Sequence, residues 1–226
     1  MRWGILGAAN FAREHMGPAI HAASGAELYA LATSDPAKAA GFSAFAPQIK
    51  VFSDYDAMLA DPAIDAVYVP LPNHLHVAWS LKALAAGKHV LCEKPITMQA
   101  SDFDALEAAA KDAGKLCAEA FMIVHHPQFI RARDLVQGGA IGTLTHVDTV
   151  FSYNNAGDVT NIRNKPETGG GGLRDIGVYT FGAARFVTGA EPVSVPYAHI
   201  RYENGVDTFA QVAANFPAFT YCAVVS

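Results

Sequence analysis

Apolar and polar positions follow two rhythms along this chain, and the change between them comes near Gly142. Before it, short apolar runs of β-capable residues alternate with stretches in which apolar positions recur at helical spacing. The runs at residues 3–7, 27–33, 50–53, 66–70, 89–92 and 115–120 predict strands. Residues 13–23, 54–60, 74–86 and 100–113 predict helices, and Ser34-Asp35-Pro36 opens another after the second strand. Strands separated by helices and joined by short connections require a parallel sheet covered on both faces. Past Gly142, residues 143–153 are long and strand-like and residues 173–187 carry helical spacing up to Gly189. From Pro192 onward the chain reads as extended segments with Asn204-Gly205 as a hairpin turn. Consecutive strands without intervening helices predict an open, mostly antiparallel sheet.

The expected fold class is therefore α/β: a doubly wound parallel sheet over residues 1–122, then an α+β domain over residues 123–226. The chain stops at Ser226 inside what reads as a further strand, which predicts an edge without a partner and a second domain incomplete at its C-terminus.

With 226 residues, 51% hydrophobic and 16% charged, the chain has material for well-filled interiors. A formal net charge of −5 offers no basic face for phosphate backbones, so nucleic acid is not an expected partner. No apolar run reaches the roughly 20 residues of a membrane span, so no membrane partner is expected. Met1-Arg2-Trp3 enters the first strand without the apolar region of a signal peptide, and Cys92, Cys117 and Cys222 show no paired spacing. Both features predict a cytoplasmic protein.

Candidate chemistry collects at strand ends, the side on which doubly wound sheets bind ligands. Gly7-Ala8-Ala9-Asn10-Phe11-Ala12 follows the first strand. Gly7 permits a tight turn, Ala9 lets backbone approach a pyrophosphate, Ala12 lets helix pack on strand, and phosphates would sit at the helix N-terminus. Any βα unit with a small-residue turn looks alike, so the hexamer alone does not decide. Thr33 and Ser34 stand where a carboxylate would select NAD and an arginine NADP; neither does so, and Asp35 is equally a helix N-cap. Cofactor choice between NAD and NADP stays open.

Pro70, Leu71, Pro72, Asn73 and His76 follow the fourth strand on the same rim. Glu93 and Lys94 end the fifth, where Pro95 cannot extend the ladder and biases Lys94 toward an extended backbone that projects its side chain outward. Two solvated charges at a strand end is the plain alternative. In the second domain the glycines at 169–172 introduce Asp175 and Tyr179, four apart and so on one helix face. They are either a cap with a core aromatic or a pair able to orient a hydroxyl and relay its proton. His74 with His76, and His125 with His126, lack the third and fourth donors that zinc needs, so no metal is expected.

Taken together, the Gly7-to-Ala12 turn, Pro72-Asn73-His74-Leu75-His76, Gly87-Lys88-His89-Val90-Leu91-Cys92-Glu93-Lys94-Pro95 and Gly170-Gly171-Gly172-Leu173-Arg174-Asp175-Ile176-Gly177-Val178-Tyr179 resemble the Gfo/Idh/MocA oxidoreductases. The likeness runs in family order over nearly the whole chain, and the Glu-Lys-Pro element is its specific part. It implies an N-terminal Rossmann domain binding NAD or NADP, a second domain for substrate binding and homo-oligomerisation, and hydride exchange with a sugar or related cyclic polyol. Carried over residue by residue, it implies that Gly7, Ala8, Ala9, Asn10, Phe11, Thr33, Ser34, Pro70, Leu71, Asn73, His76, Glu93 and Lys94 line the cofactor, and that Lys94 and Asp175 are catalytic. Tyr179 stands where many members carry histidine, as in the branch of pyranose dehydrogenases, dihydrodiol dehydrogenases and glucose-fructose oxidoreductase. Two departures are visible. Ile123-Val124 replace an aromatic and a basic residue of that branch, and the chain ends before the family's usual terminus.

Oxidising an alcohol by hydride transfer requires a base for the hydroxyl proton. Tyr179 is the candidate base with Lys94 as electrostatic partner, because a nearby ammonium favours the phenolate of a group whose free pKa is about 10. Lys94 is the other candidate proton acceptor. Asp175 would accept from a neighbouring substrate hydroxyl or hold Lys94, while Asn73 and His76 would fix the cleft floor. The contrasting expectation is a catalytically silent dinucleotide-binding regulator of the same fold, for which Lys94, Asp175 and Tyr179 together would be superfluous.

Overall fold

The computed structural model describes residues 1–226 and divides into two compact units, Met1–Ala120 and Phe121–Ser226. The first alternates β1 (Arg2–Leu6), α1 (Gly17–Ala22), β2 (Glu27–Ala32), α2 (Pro36–Ser43), β3 (Lys50–Phe52), α3 (Tyr55–Leu59), β4 (Ala66–Val69), α4 (His76–Ala85), β5 (His89–Glu93), α5 (Asp102–Ala113) and β6 (Cys117–Ala120). Every pairing is parallel and the strand order is β3-β2-β1-β4-β5-β6. The order reverses between β1 and β4, the switch point beyond whose carboxyl ends such sheets bind ligands.

Period-two alternation sorts the strand residues onto the two faces. Ile5, Leu31 and Tyr68 pack with Ile20 and Phe42, while Leu6, Val67 and Val69 pack with Leu84 and Leu106. Both faces are therefore covered, as a parallel sheet requires. Local chemistry sets the helix starts: Asp35 accepts from Ala37 N at 3.0 Å ahead of α2, and Asp54 accepts from Ala57 N at 2.7 Å ahead of α3. The helix expected over residues 13–23 is shorter. Ala12–Met16 winds as a wide turn in which Gly17 N reaches back five residues to Ala12 O, since Pro18 has no amide hydrogen to give to residue 14.

The second unit contains α6 (Pro127–Gln137), β7 (His146–Phe151), α7 (Val178–Thr188), β8 (Ser194–Glu203), β9 (Val206–Asn215) and β10 (Thr220–Val225). Its strand order is β7-β10-β9-β8. The β8–β9 and β9–β10 pairs are antiparallel, but β7 and β10 run parallel, so the sheet is mixed. Asn204 (φ 50°) and Gly205 (φ 82°) make the expected hairpin turn. The last strand corrects an expectation. β10 lies between β7 and β9 and is interior, not an unpartnered edge, because its neighbour β7 comes from 74 residues upstream. One sheet face packs Ala210, Ala214, Tyr221, Ala223 and Val225 against Ile176 and Ala184. The opposite face leaves His146, Asp148, Val150 and Gln211 exposed. The three cysteines are unpaired, and no helix is long and apolar enough to cross a membrane.

Candidate active site

In the first unit the switch point is shaped by Gly7. Its φ is +91°, its amide donates to Ala32 O at 2.8 Å, and a Cβ would lie 2.9 Å from Leu71 Cδ2 and 3.3 Å from Tyr55 Oη. Only glycine satisfies both the backbone and the space. Ala8 and Ala9 are half-buried and Asn10 and Phe11 exposed, while Ala12 is fully buried beneath them. A small-residue turn where strand order reverses fits a dinucleotide pyrophosphate. At the tip of β2, Thr33 is buried with its hydroxyl bonded to the Asp35 backbone. The Asp35 carboxylate caps α2, so of its two expected roles the cap is the one observed, and Ser34 is the exposed group at this tip.

Glu93 braces the end of β5. Tyr68 Oη donates to Glu93 Oε1 at 2.6 Å, and Glu93 Oε2 accepts from Lys94 N at 3.2 Å. The Lys94–Pro95 peptide is cis, and Ile96 N donates to Glu119 Oε1 at 2.9 Å. His76 is fully buried, with Nδ1 2.7 Å from Pro95 O and Nε2 2.7 Å from Leu71 O. Its ring ties the loop after β4 to the loop after β5. His76 therefore serves the rim by fixing Leu71 and Pro95, a correction to its expected place lining the cofactor. Pro70, Asn73 and Lys94 are half-buried on the same two loops.

In the second unit the glycine run meets Asp207. Asp207 Oδ2 accepts from Leu173 N at 2.6 Å, and Gly171, at φ +114°, leaves no space for a Cβ beside Asp207 Oδ1. This anchor starts the wide turn Leu173–Gly177, which carries Asp175 and leads into α7. Asp175 is 9% exposed. Its Oδ2 accepts from Tyr153 Oη at 2.5 Å and lies 2.8 Å from Arg163 Nε. A cavity of about 360 Å³ opens here, lined among others by Tyr153, Asn154, Arg163, Asp175 and Asp207.

Burial, and after it the Asp175 carboxylate, pushes the Tyr153 hydroxyl up to about 12, so Tyr153 is a proton donor throughout the neutral range. For Arg163, burial works to lower the pKa, but the Asp175 carboxylate more than offsets it and the guanidinium is held above its usual value. Tyr179 is half-buried one helical turn beyond Asp175. Its ring centroid lies 5.7 Å from Phe121 at an interplanar angle of 27° and 5.6 Å from Phe151 at 44°. Gly182 permits the first contact, because a Cβ there would come 2.5 Å from Phe121 Cζ.

The first unit thus carries a Rossmann switch point with a Glu-Lys-Pro rim, and the second carries Asp175 on the turn that leads into α7 and Tyr179 on α7 itself. The family model for Gfo/Idh/MocA oxidoreductases with an NAD-binding Rossmann fold matches residues 1–121, and the model of that family's C-terminal domain matches residues 129–225. The chain belongs to the Gfo/Idh/MocA family. Among members, it is 43% identical over 213 residues to a dTDP-3,4-didehydro-2,6-dideoxy-alpha-D-glucose 3-reductase of Saccharopolyspora spinosa, covering 94% of this chain and 64% of the relative. It is 38% identical over 211 residues to a D-xylose 1-dehydrogenase (NADP(+)) of Haloferax volcanii, covering 92% and 63%. A 3-ketoreductase from Actinomadura kijaniata, solved with NADP and TDP-benzene, superposes with a TM-score of 0.87 at 33% identity, covering 99% of this chain and 69% of that one. The chain thus spans just under two-thirds of the length of the two curated relatives.

Three polar residues of this Gfo/Idh/MocA chain escape a reading of the sequence. Tyr153 sits at the end of a strand-like run and looks like one more β-former, and Arg163 lies in an irregular stretch without periodicity. Asp207 follows the hairpin turn, where an aspartate is ordinary; only a register shift between Arg201 and Tyr202 aims it at the glycine run.

Proposed function

We propose that this protein moves a hydride between a nicotinamide dinucleotide, NAD or NADP, and a sugar (an aldose or pyranose) or a related cyclic polyol. The observation that carries this reading is the Asp175 carboxylate, buried, held by Tyr153 and Arg163, and one helical turn from Tyr179. A protein that only binds a dinucleotide gains nothing from a fixed carboxylate beside a phenol. The names of the xylose dehydrogenase and dTDP-sugar reductase relatives support the sugar class.

The dinucleotide, bound at the β1–β4 switch point against the Gly7 turn, supplies the hydride acceptor or donor. This chain's residues do the rest. The Lys94 ammonium, held in place at its backbone by Glu93, stabilises the oxygen as the substrate hydroxyl loses its proton. Tyr179, as its phenolate, takes that proton; the other route is a Lys94 side chain that enters as the neutral amine and takes the proton itself. Asp175 accepts from a neighbouring substrate hydroxyl and sets the ring's orientation, its own position fixed by two donors on one oxygen. In the reductive direction the same groups return the proton.

The reading includes a cytoplasmic protein without nucleic-acid or membrane partners, and a homo-oligomer formed through the second unit's open sheet face. Steady-state absorbance of reduced nicotinamide with a panel of aldoses, cyclic polyols and keto sugars, at both NAD and NADP, tests the proposal. Saturable turnover with at least one sugar is expected. Tight dinucleotide binding with no turnover on any of them replaces this reading with the silent regulator.

A further inference from the structure

We propose that His146, Asp148 and Cys222 form a binding site for a single transition-metal ion of the zinc class on the open face of the second sheet, independent of the residues assigned to hydride transfer. The parallel register of β7 and β10 pairs His146 with Thr220 and Asp148 with Cys222. The period of two then places His146, Asp148 and Cys222 on the same side, the side away from α7. One imidazole nitrogen, one carboxylate oxygen and one sulfur lie within 4.8 Å of one another. Donors around a tetrahedral zinc stand about 3–4 Å apart, as bond lengths of about 2.0–2.3 Å dictate, so small side-chain rotations close the set.

The closest approach is already in that range: His146 Nε2 lies 3.0 Å from Asp148 Oδ2. The other ring nitrogen, Nδ1, is 2.6 Å from Thr220 Oγ1. A ligating histidine characteristically has its second nitrogen engaged in this way, which fixes ring orientation. Within one subunit His146 and Asp148 are exposed and Cys222 half-buried, so one position of a four-coordinate ion stays open, to water or, in the homo-oligomer, to the facing subunit.

The donor types choose the metal. Imidazole with thiol excludes a preference for magnesium or calcium, which take oxygen, and favours zinc, cobalt, nickel or copper. Binding releases the Cys222 thiol proton and makes the sulfur a thiolate ligand. The ion would join strands whose residues lie 74 positions apart, pinning the edge strand β7 to β10. The alternative is a plain His146–Asp148 ion pair beside an unrelated cysteine.

Titration of the intact, untagged protein with cobalt(II), followed by zinc displacement, separates the two. One equivalent of cobalt should bind with a near-ultraviolet thiolate-to-cobalt charge-transfer band, zinc should abolish the band, and thermal unfolding should move to higher temperature with zinc. Cys222→Ser should remove the band and weaken zinc at least about 100-fold, His146→Ala should do likewise, and Thr220→Val should weaken it about 10-fold. His199→Ala, on β8, should change nothing. Absence of saturable binding, a cobalt spectrum without a thiolate band, or zinc affinity that survives both Cys222→Ser and His146→Ala overturns the proposal. None of these readouts depends on turnover, so the site and the hydride-transfer reading fail separately.

Discussion

Tyr153 Oη donates to Asp175 Oδ2 at 2.5 Å, and Arg163 Nε stands 2.8 Å from the same oxygen. Two donors on one oxygen fix the carboxylate's plane. Removing one donor from a buried acceptor costs on the order of 1–3 kcal/mol. Tyr153→Phe should therefore lower kcat/KM for the sugar by about 10–100-fold while leaving dinucleotide affinity unchanged, and Arg163→Met should lower it further because it strips a charge from a buried carboxylate. Steady-state kinetics with fluorescence titration of the dinucleotide checks this. Equal losses in both parameters would mean that the pair only supports the fold.

The same contact sets an alkaline limit. Folding raises the Tyr153 pKa from its ordinary value to about 12, so the folded state holds this proton more tightly than the unfolded chain. Stability from this group is fully present below the unfolded pKa of about 10 and is lost as pH rises toward 12. Tyr55 and Tyr221 are raised by burial and act in the same direction. Urea unfolding at a series of pH values should show stability falling over that window, with a shallower fall in Tyr153→Phe. An unchanged slope in the variant would contradict the assignment.

Gly7 should not tolerate a side chain. A Cβ at φ +91° costs on the order of 1–2 kcal/mol in backbone strain alone, and Leu71 Cδ2 at 2.9 Å must also move. Gly7→Ala should lower stability by about 1–3 kcal/mol, and it should weaken dinucleotide binding at least about 10-fold through displacement of the loop after β4. Chemical denaturation and dinucleotide titration on one preparation measure both.

His76→Phe puts a larger apolar ring in a fully buried site and deletes both contacts to Leu71 O and Pro95 O. A neutral imidazole has one N–H to give, so one carbonyl loses its donor, at about 1–3 kcal/mol. Stability should fall by that order, and Lys94-dependent activity should fall with it because Pro95 is no longer held. A variant as stable as the parent would show that water replaces the ring.

The features legible in the sequence are the local ones. Gly7, the cap at Asp35 and the Asn204-Gly205 turn are each decided by a few neighbouring residues, and all three appear in the structure. The strand-end position of Lys94 follows equally from short-range periodicity. What stays hidden depends on partners brought by tertiary register. Tyr153 reaches Asp175 from 22 residues away, and β10 finds β7 across 74. His76 shows the limit from the other side: its position on the rim is legible, but its burial against two carbonyls is not, because nothing in the run Pro70-Leu71-Pro72-Asn73-His74-Leu75-His76 says which way the ring turns.

The hydride itself can be followed. Incubation with oxidised nicotinamide dinucleotide and uniformly deuterated sugars, with mass analysis of the dinucleotide, reports transfer whichever carbon reacts. The reduced dinucleotide should gain one deuterium, and Lys94→Ala should lose this transfer by about 100-fold or more while still binding the dinucleotide. A dinucleotide that binds saturably and gains no deuterium from any sugar, or a Lys94→Ala variant that transfers as fast as the parent, would contradict the assignment of this chain to sugar hydride transfer through Lys94.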